Sequence, residues 1–262
     1  MNFAKARAIG VKDLKEVFSS ISIYGPMIGV PLFFAVTLPL LTFYVALYAG
    51  PGLASRILPF ASAAPGAANN LKSVAFMIFF SVNVLGPIFL TMPIFTASVI
   101  AADSFAGEKE RKTSEALLAT PVTKSELMVG KMLASFLPAV FLTIAIFGIY
   151  GGVVNYLAAG TFHTYILPNT TWLLMLLSAP FFSIAAIGMV VIVSSHVKGI
   201  KEAQQISTLL VLPILVLPFA SIIGIVSLDP LFFVYVIMGL TIADALIVYF
   251  GIRSFRRESI LG

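Results

Sequence analysis

The chain has 262 residues, 60% of them apolar and only 10% charged, with a mean hydropathy of +1.06. Soluble domains carry about a quarter charged residues, so this composition excludes a water-soluble globule and points to an integral membrane protein, with little room in these residues for a soluble catalytic domain. Cysteine is absent, which excludes disulfides and thiolate metal sites, and the net charge of +5 comes from basic residues beside apolar runs, where topology and anionic headgroups explain it without nucleic acid.

At the start of the chain, Leu14, Val17, Phe18 and Ile21 recur at i, i+3, i+4 and i+7, with Lys12, Lys15, Glu16 and Ser19 on the other face. This spacing predicts an amphipathic helix over residues 1–22, lying at the membrane surface. A helix needs about 20 apolar residues to cross the hydrocarbon layer. Six segments meet that length: Tyr24–Tyr48, Val74–Ala102, Leu127–Tyr156, Thr171–Ser194, Ile206–Ser227 and Leu231–Ile252. The first is too long an apolar run for the core of a signal peptide. Fourteen of the 16 Lys and Arg residues fall on one side of this arrangement and only Arg56 and Lys72 on the other. By the positive-inside rule, both termini are expected in the cytoplasm of a multi-pass plasma-membrane protein.

Between the second and third spans lies an island of charge. Ten of the 27 charged residues fall in the 29 positions from Asp103 to Lys131. Glu108, Arg111, Lys112 and Glu115 stand at i,i+3 and i,i+4 spacings that favour a short helix; Leu117 and Leu118 give it an apolar edge, and Pro121 ends it. The next helix is expected at once, with Thr123 as N-cap, Glu126 closing a capping box and Val122 with Leu127 as a hydrophobic staple. Residues 103–126 are therefore expected to form a stiff cytoplasmic elbow.

The remaining segments carry fewer signals. Ala61–Ala68 reads as a flexible outer loop, and Asn169-Thr170-Thr171 matches a glycosylation sequon, a pattern short enough to arise by chance. Asp244 is the one ionisable residue well inside a span, where a carboxylate is costly unless it meets water or a partner, so it is a candidate for a translocation path or for a bond between helices. Asn83, beside Gly86 and Pro87, is a second candidate, as an interhelical hydrogen-bonder or a path residue. The 23 Phe and 8 Tyr residues suit lipid contact and packing, and prolines in nearly every span offer kinks. An intramembrane enzyme needs a gathered constellation, but His163 and His196 lie on opposite sides and one buried acid stands alone, so no catalytic residue and no metal ligand set is expected.

The run FAGEKERKTSEALLATPVTKSELMVGK resembles the segment after the second transmembrane helix of ABC-2 type transporter permeases, through Glu108, Glu110, Arg111, Thr113, Glu115, Leu117, Leu118, Thr120, Pro121, Val122, Gly130 and Lys131. A second stretch, Ser194–Pro213, resembles that family's short inner loop and fifth helix, with Ala203, Gln204 and Gln205 as recurring residues. The resemblance implies an all-α membrane protein that forms a single transmembrane domain over residues 1–262: six spans, an N-terminal interfacial helix and a coupling helix in the elbow. It implies the permease subunit of an ABC exporter. A separate ATPase subunit would hold ATP and Mg and dock on Glu108, Glu110, Arg111, Thr113, Glu115, Leu117, Leu118, Thr120 and Pro121, and a second permease would complete a dimer. The chain itself contains no GxxxxGK[ST] phosphate loop, since Lys131 is followed by Met132 and Ser125 stands at the first glycine position. The family often has re-entrant helices between spans five and six, for which this sequence leaves residues only if Pro213 and Pro218 break span five early. The alternatives are a membrane scaffold that recruits a soluble partner through the elbow, and an intramembrane enzyme. Cargo is left open, with a lean towards an amphipathic or hydrophobic molecule, because a lone acid is little for a cation-selective path.

Overall fold

The computed structural model describes residues 3–49, 52, 69–110, 123–194, 197 and 199–258, and among them every regular element is a helix. In chain order these are α1 (Phe3–Ser19), α2 (Ile21–Tyr48), α3 (Asn69–Phe79), a π turn (Phe80–Leu85), α4 (Gly86–Phe89), α5 (Thr91–Ala102), a second π turn (Asp103–Gly107) and α6 (Glu108–Glu110). After the elbow come α7 (Lys124–Phe162), α8 (Thr170–Ser194), α9 (Ile200–Thr208), α10 (Val211–Ile222) and α11 (Pro230–Glu258). Six helical stretches are long and apolar enough to cross a membrane: Tyr24–Tyr48, Leu71–Gly107, Glu126–Phe162, Thr170–Ser194, Ile200–Ile222 and Pro230–Ile247. They are numbered as spans one to six below.

Local chemistry sets the ends of these helices. Thr123 has extended backbone angles, its hydroxyl accepts from the Glu126 N–H at 3.3 Å, and the Glu126 carboxylate accepts from the Thr123 N–H at 3.0 Å, so two donors that a helix start would leave bare are both satisfied. α7 then runs for 39 residues and ends where His163 turns left-handed. At 1.5 Å per residue that is about 58 Å, nearly twice the hydrocarbon thickness, so a helix of this length extends beyond an apolar slab. At the other end of the bundle the Asn169 side chain accepts from the Trp172 N–H at 2.8 Å. The asparagine of the sequon thus works as a helix cap. Asp229 does the same for α11, accepting from the Phe232 N–H at 2.8 Å.

Spans two, three and four form the centre. Half of the apolar window of spans two and four is buried by other helices against 11% for span six, which therefore lies at the edge. Phe89, Phe147, Tyr150 and Trp172 interlock there, with centroids 4.6 Å apart for Phe89 and Tyr150 and 4.5 Å for Phe147 and Trp172. Contacts of this kind exceed what area burial alone contributes.

Several expectations are revised in detail. Span two is longer than the apolar run suggests and is interrupted by two π turns. The first follows from Pro87, which has no N–H to give the Asn83 carbonyl four residues back, so the ladder widens there. Span five begins at Ile200, six residues earlier than the apolar pattern indicates, and is broken at Leu209–Leu210. Pro213 cannot serve the Leu209 carbonyl, which instead accepts from the Leu212 N–H at 3.1 Å in a tighter turn. The helix then continues through Pro218 to Ile222, and residues 223–229 pass to α11 through a left-handed Gly224 with no re-entrant helix. The face of α1 buried in the protein is Ala6, Gly10, Asp13 and Val17, while Phe18 of the apolar stripe and Ile21, just beyond the helix, point outward.

Candidate functional site at the root of the elbow

The small residues on that face explain where α1 sits. Gly10 and Gly130 meet at the crossing of α1 with α7, and a Cβ added to Gly130 would stand 2.5 Å from the Ala6 carbonyl oxygen. Only hydrogen fits between the two backbones. One residue beyond Gly130, the Lys131 side chain is driven into the space among α1, α7 and the second π turn, where it is 2% exposed.

Its ammonium is satisfied on several sides. Lys131 Nζ lies 2.6 Å from Glu108 Oε2, donates to the Ser104 backbone carbonyl, and stands 5.2 Å from the centroid of the Phe105 ring. Asp13 enters the same pocket from α1: it is 4% exposed, and its Oδ2 has no hydrogen-bond partner among the described residues. Lys12 closes the outer edge, 3.9 Å from Asp13 and 4.0 Å from Glu108. Burial pushes the Asp13 acid above the ordinary carboxylate range, and Glu108 adds to that push. Lys131, the Ser104 side chain and Lys12 pull it back. Desolvation is the larger effect here, because the buried Asp13 shares Lys131 with the partly buried Glu108.

The second π turn makes this convergence possible. An α-helix would carry Asp103 to Gly107 on a fixed 3.6-residue pitch, whereas a π turn swings a carbonyl off the ladder and presents it sideways. The Ser104 carbonyl is the one that Lys131 reaches. Beyond it, Glu110 turns the other way and its Oε2 accepts from the Ile200 N–H at 2.9 Å. That contact caps the start of span five with a negative charge, the sign favoured at a helix N-terminus. The end of span two thus touches α1, span three and span five within eight residues.

Of the residues marked from sequence as contacts for an ATPase, Glu108 and Glu110 are described, and both carboxylates are engaged within the chain. Arg111, Thr113, Glu115, Leu117, Leu118, Thr120 and Pro121 lie outside the described residues, as does Val122 of the expected staple. Asp244 is buried on span six, at 6% exposure, and neither carboxylate oxygen has a partner among the described residues. One turn further on, Ile247 packs against Gly188, which places this face of span six against span four. Asn83 is half-buried in the first π turn. It shares no site with Asp244, which lies along a different helix pair. Asp13, Ser104 and the inward role of Lys131 were not evident beforehand. The available signal was the spacing Ala6, Gly10, Asp13, Val17, a small-residue stripe that carries one acid.

Six helices long and apolar enough to cross a membrane define a multi-pass helical membrane protein. Residues 68–243, well over half of the chain, match the family model described as ABC-2 family transporter protein, and the chain belongs to that family. A 70-residue stretch, 27% of the chain, is 41% identical to the ABC transporter permease protein NatB of Bacillus subtilis (strain 168), and it takes in 16% of that relative's length. No solved structure matches the chain.

Proposed function

We propose that this chain is the membrane-spanning permease subunit of an ABC exporter, driven by ATP that a separate subunit binds with Mg and hydrolyses. The observation that carries the reading is the root of the elbow: a capped helix start whose first turns are locked by buried charge to the end of span two. A stroke delivered to a slack loop is lost in its bending, whereas a stroke delivered to a stiff joint moves the spans attached to it. The elbow residues Arg111, Thr113, Glu115, Leu117, Leu118, Thr120 and Pro121, with Glu108 and Glu110 at its base, face the ATPase on the cytoplasmic side of the plasma membrane, where both termini also lie. The outward Phe18 and Ile21, and Val11 on α1, rest at the headgroup layer.

A second permease, identical or related, completes a twofold assembly whose shared seam carries an amphipathic or hydrophobic cargo. The poorly covered spans one, five and six support this, since their apolar faces need lipid or another chain. Asp244 and Asn83 serve the path. The test is to co-express a tagged permease with an ABC ATPase sought in the neighbouring reading frames, purify on the tag and measure ATP hydrolysis in proteoliposomes against a panel of amphipathic compounds and sodium. Co-purification with hydrolysis raised by an amphipathic compound is expected. An ATPase that never co-purifies removes the assignment, and stimulation by sodium alone replaces the cargo class.

A further inference from the structure

The proposed function assigns the stroke to the elbow and leaves open which side chain turns a push there into movement of several helices. Three features meet at one buried ammonium. Lys131 is on span three, Glu108 and the Ser104 carbonyl are on the end of span two, and α1 brings the buried Asp13 and the exposed Lys12, the latter 4.0 Å from Glu108. The Gly10–Gly130 crossing brings the backbones of α1 and span three into contact and so sets Asp13 beside Lys131. From this arrangement we propose that Lys131 is the positioning residue that clamps α1, the end of span two and the start of span three into one rigid lever.

The geometry favours a clamp over a simple anchor of the fold. Lys131 is not needed to start α7, which Thr123 and Glu126 already cap. It does not fill an apolar core position either, since its neighbours are two acids, a carbonyl and the face of one ring. Its specific consequence is to make separation of the three elements costly: any relative slide leaves a buried ammonium or a buried carboxylate unpaired. The same charges make the clamp selective in direction. Lys12 and Glu110 sit at its rim, where water can replace their partners, so the lever as a whole can still pivot against span five.

This inference rests on the transporter reading for its purpose and not for its geometry, so the experiment has one arm for each. Because the chain has no cysteine, introduced cysteines take spin labels at unique positions. Labels at Arg7→Cys on α1 and Leu133→Cys on span three report the clamp, and a pair at Arg7→Cys and Leu246→Cys reports movement of the lever against span six. The labelled full-length permease is diluted in unlabelled copies, and electron–electron distances are measured without nucleotide and, with the ATPase bound, with ATP. In the parent the Arg7–Leu133 distribution is expected to be narrow and unchanged by ATP, while the Arg7–Leu246 distance shifts. Lys131→Met is expected to broaden the Arg7–Leu133 distribution at least twofold. Should that variant fail to fold, the neutral triple Asp13→Asn, Glu108→Gln, Lys131→Met removes the charges together and is expected to fold and show the same broadening. A distribution as narrow in the triple as in the parent overturns the clamp, as does an ATP-dependent change in the parent's Arg7–Leu133 distance. Failure of the ATPase to bind the parent defeats the transporter reading and leaves the nucleotide-free width to decide the clamp.

Discussion

Gly130 on span three and Ala6 on α1 are in backbone contact: a Cβ on Gly130 would come within 2.5 Å of the Ala6 carbonyl oxygen. The obstacle is main chain, which cannot rotate away as a side chain would. Gly130→Ala is therefore expected to lever α1 off span three and to destabilise the protein by about 1–3 kcal/mol, the usual cost of overpacking a tight contact. Thermal unfolding in detergent measures the loss, and limited trypsinolysis at Lys5 and Arg7 should speed up in parallel. An unchanged melting temperature with unchanged cleavage would mean that the crossing is looser than described.

Removing the charge of Lys131 alone leaves the buried Asp13 and the partly buried Glu108 facing each other with the exposed Lys12, 3.9 and 4.0 Å away, as the nearest cation among the described residues. Lys131→Met is expected to destabilise by about 3–5 kcal/mol, the range for breaking a buried pair by deleting one partner. The neutral triple at Asp13, Glu108 and Lys131 should recover most of that loss, since it buries no uncompensated charge. Chemical denaturation of the three proteins side by side checks the ordering.

Asp13 makes stability depend on pH in a definite direction. Its folded value is raised, above all by burial and also by Glu108 on span two, against the opposing influence of Lys131 on span three, the Ser104 side chain and Lys12 on α1 itself. Between the unfolded value of about 3.9 and the raised folded value, the folded state holds a proton that the unfolded chain has released. Stability contributed by this group therefore falls as pH rises through that window. Asp13→Asn is expected to gain on the parent as pH increases from acid to neutral and to match it at the acid end. A melting-temperature series against pH reads this directly, and a constant difference would exclude Asp13 as its origin.

Glu115 lies in the stretch proposed to meet the ATPase, while the cap is made by Thr123 with Glu126 and the clamp is argued from Lys131, Glu108, Ser104 and Asp13. Glu115→Arg is expected to abolish co-purification of the ATPase while the permease keeps its elution profile and melting temperature. Undiminished binding would shift the contact elsewhere on the elbow.

Asp244→Asn is expected to lower transport with expression and folding retained, because both oxygens of Asp244 lack a partner among the described residues and so have no internal bond to lose. Transport of the identified cargo, alongside gel filtration, checks it. Loss of folded protein would instead give the residue a structural role between spans four and six.

Much of the architecture was legible in one dimension. Apolar runs of sufficient length impose six spans, because lipid offers the backbone no hydrogen bonds and only helices of that length satisfy it. The Thr123 and Glu126 pair announced its own capping box, since both bonds are made within four residues. The break in span five was partly readable: Pro213 demanded a disturbance, although its place at Leu209–Leu210 depends on which neighbour takes the orphaned carbonyl. The start of span five at Ile200 was hidden, because the polar turn that opens it is completed by Glu110 from 90 residues away.

What sequence alone determined here are properties governed by near neighbours and by solvent: helix, length, membrane residence, caps, and the charged stretch between spans two and three that resembles the family's. The inward turn of Lys131, the glycine crossing and the isolation of Asp244 were decided only in three dimensions. Each depends on a meeting between residues far apart in the chain, Gly10 with Gly130, Asp13 with Ser104 and Lys131, span six with span four. A charge in a polar stretch looks solvated until packing brings another helix over it, and only then does its electrostatics become strong enough to bind helices together.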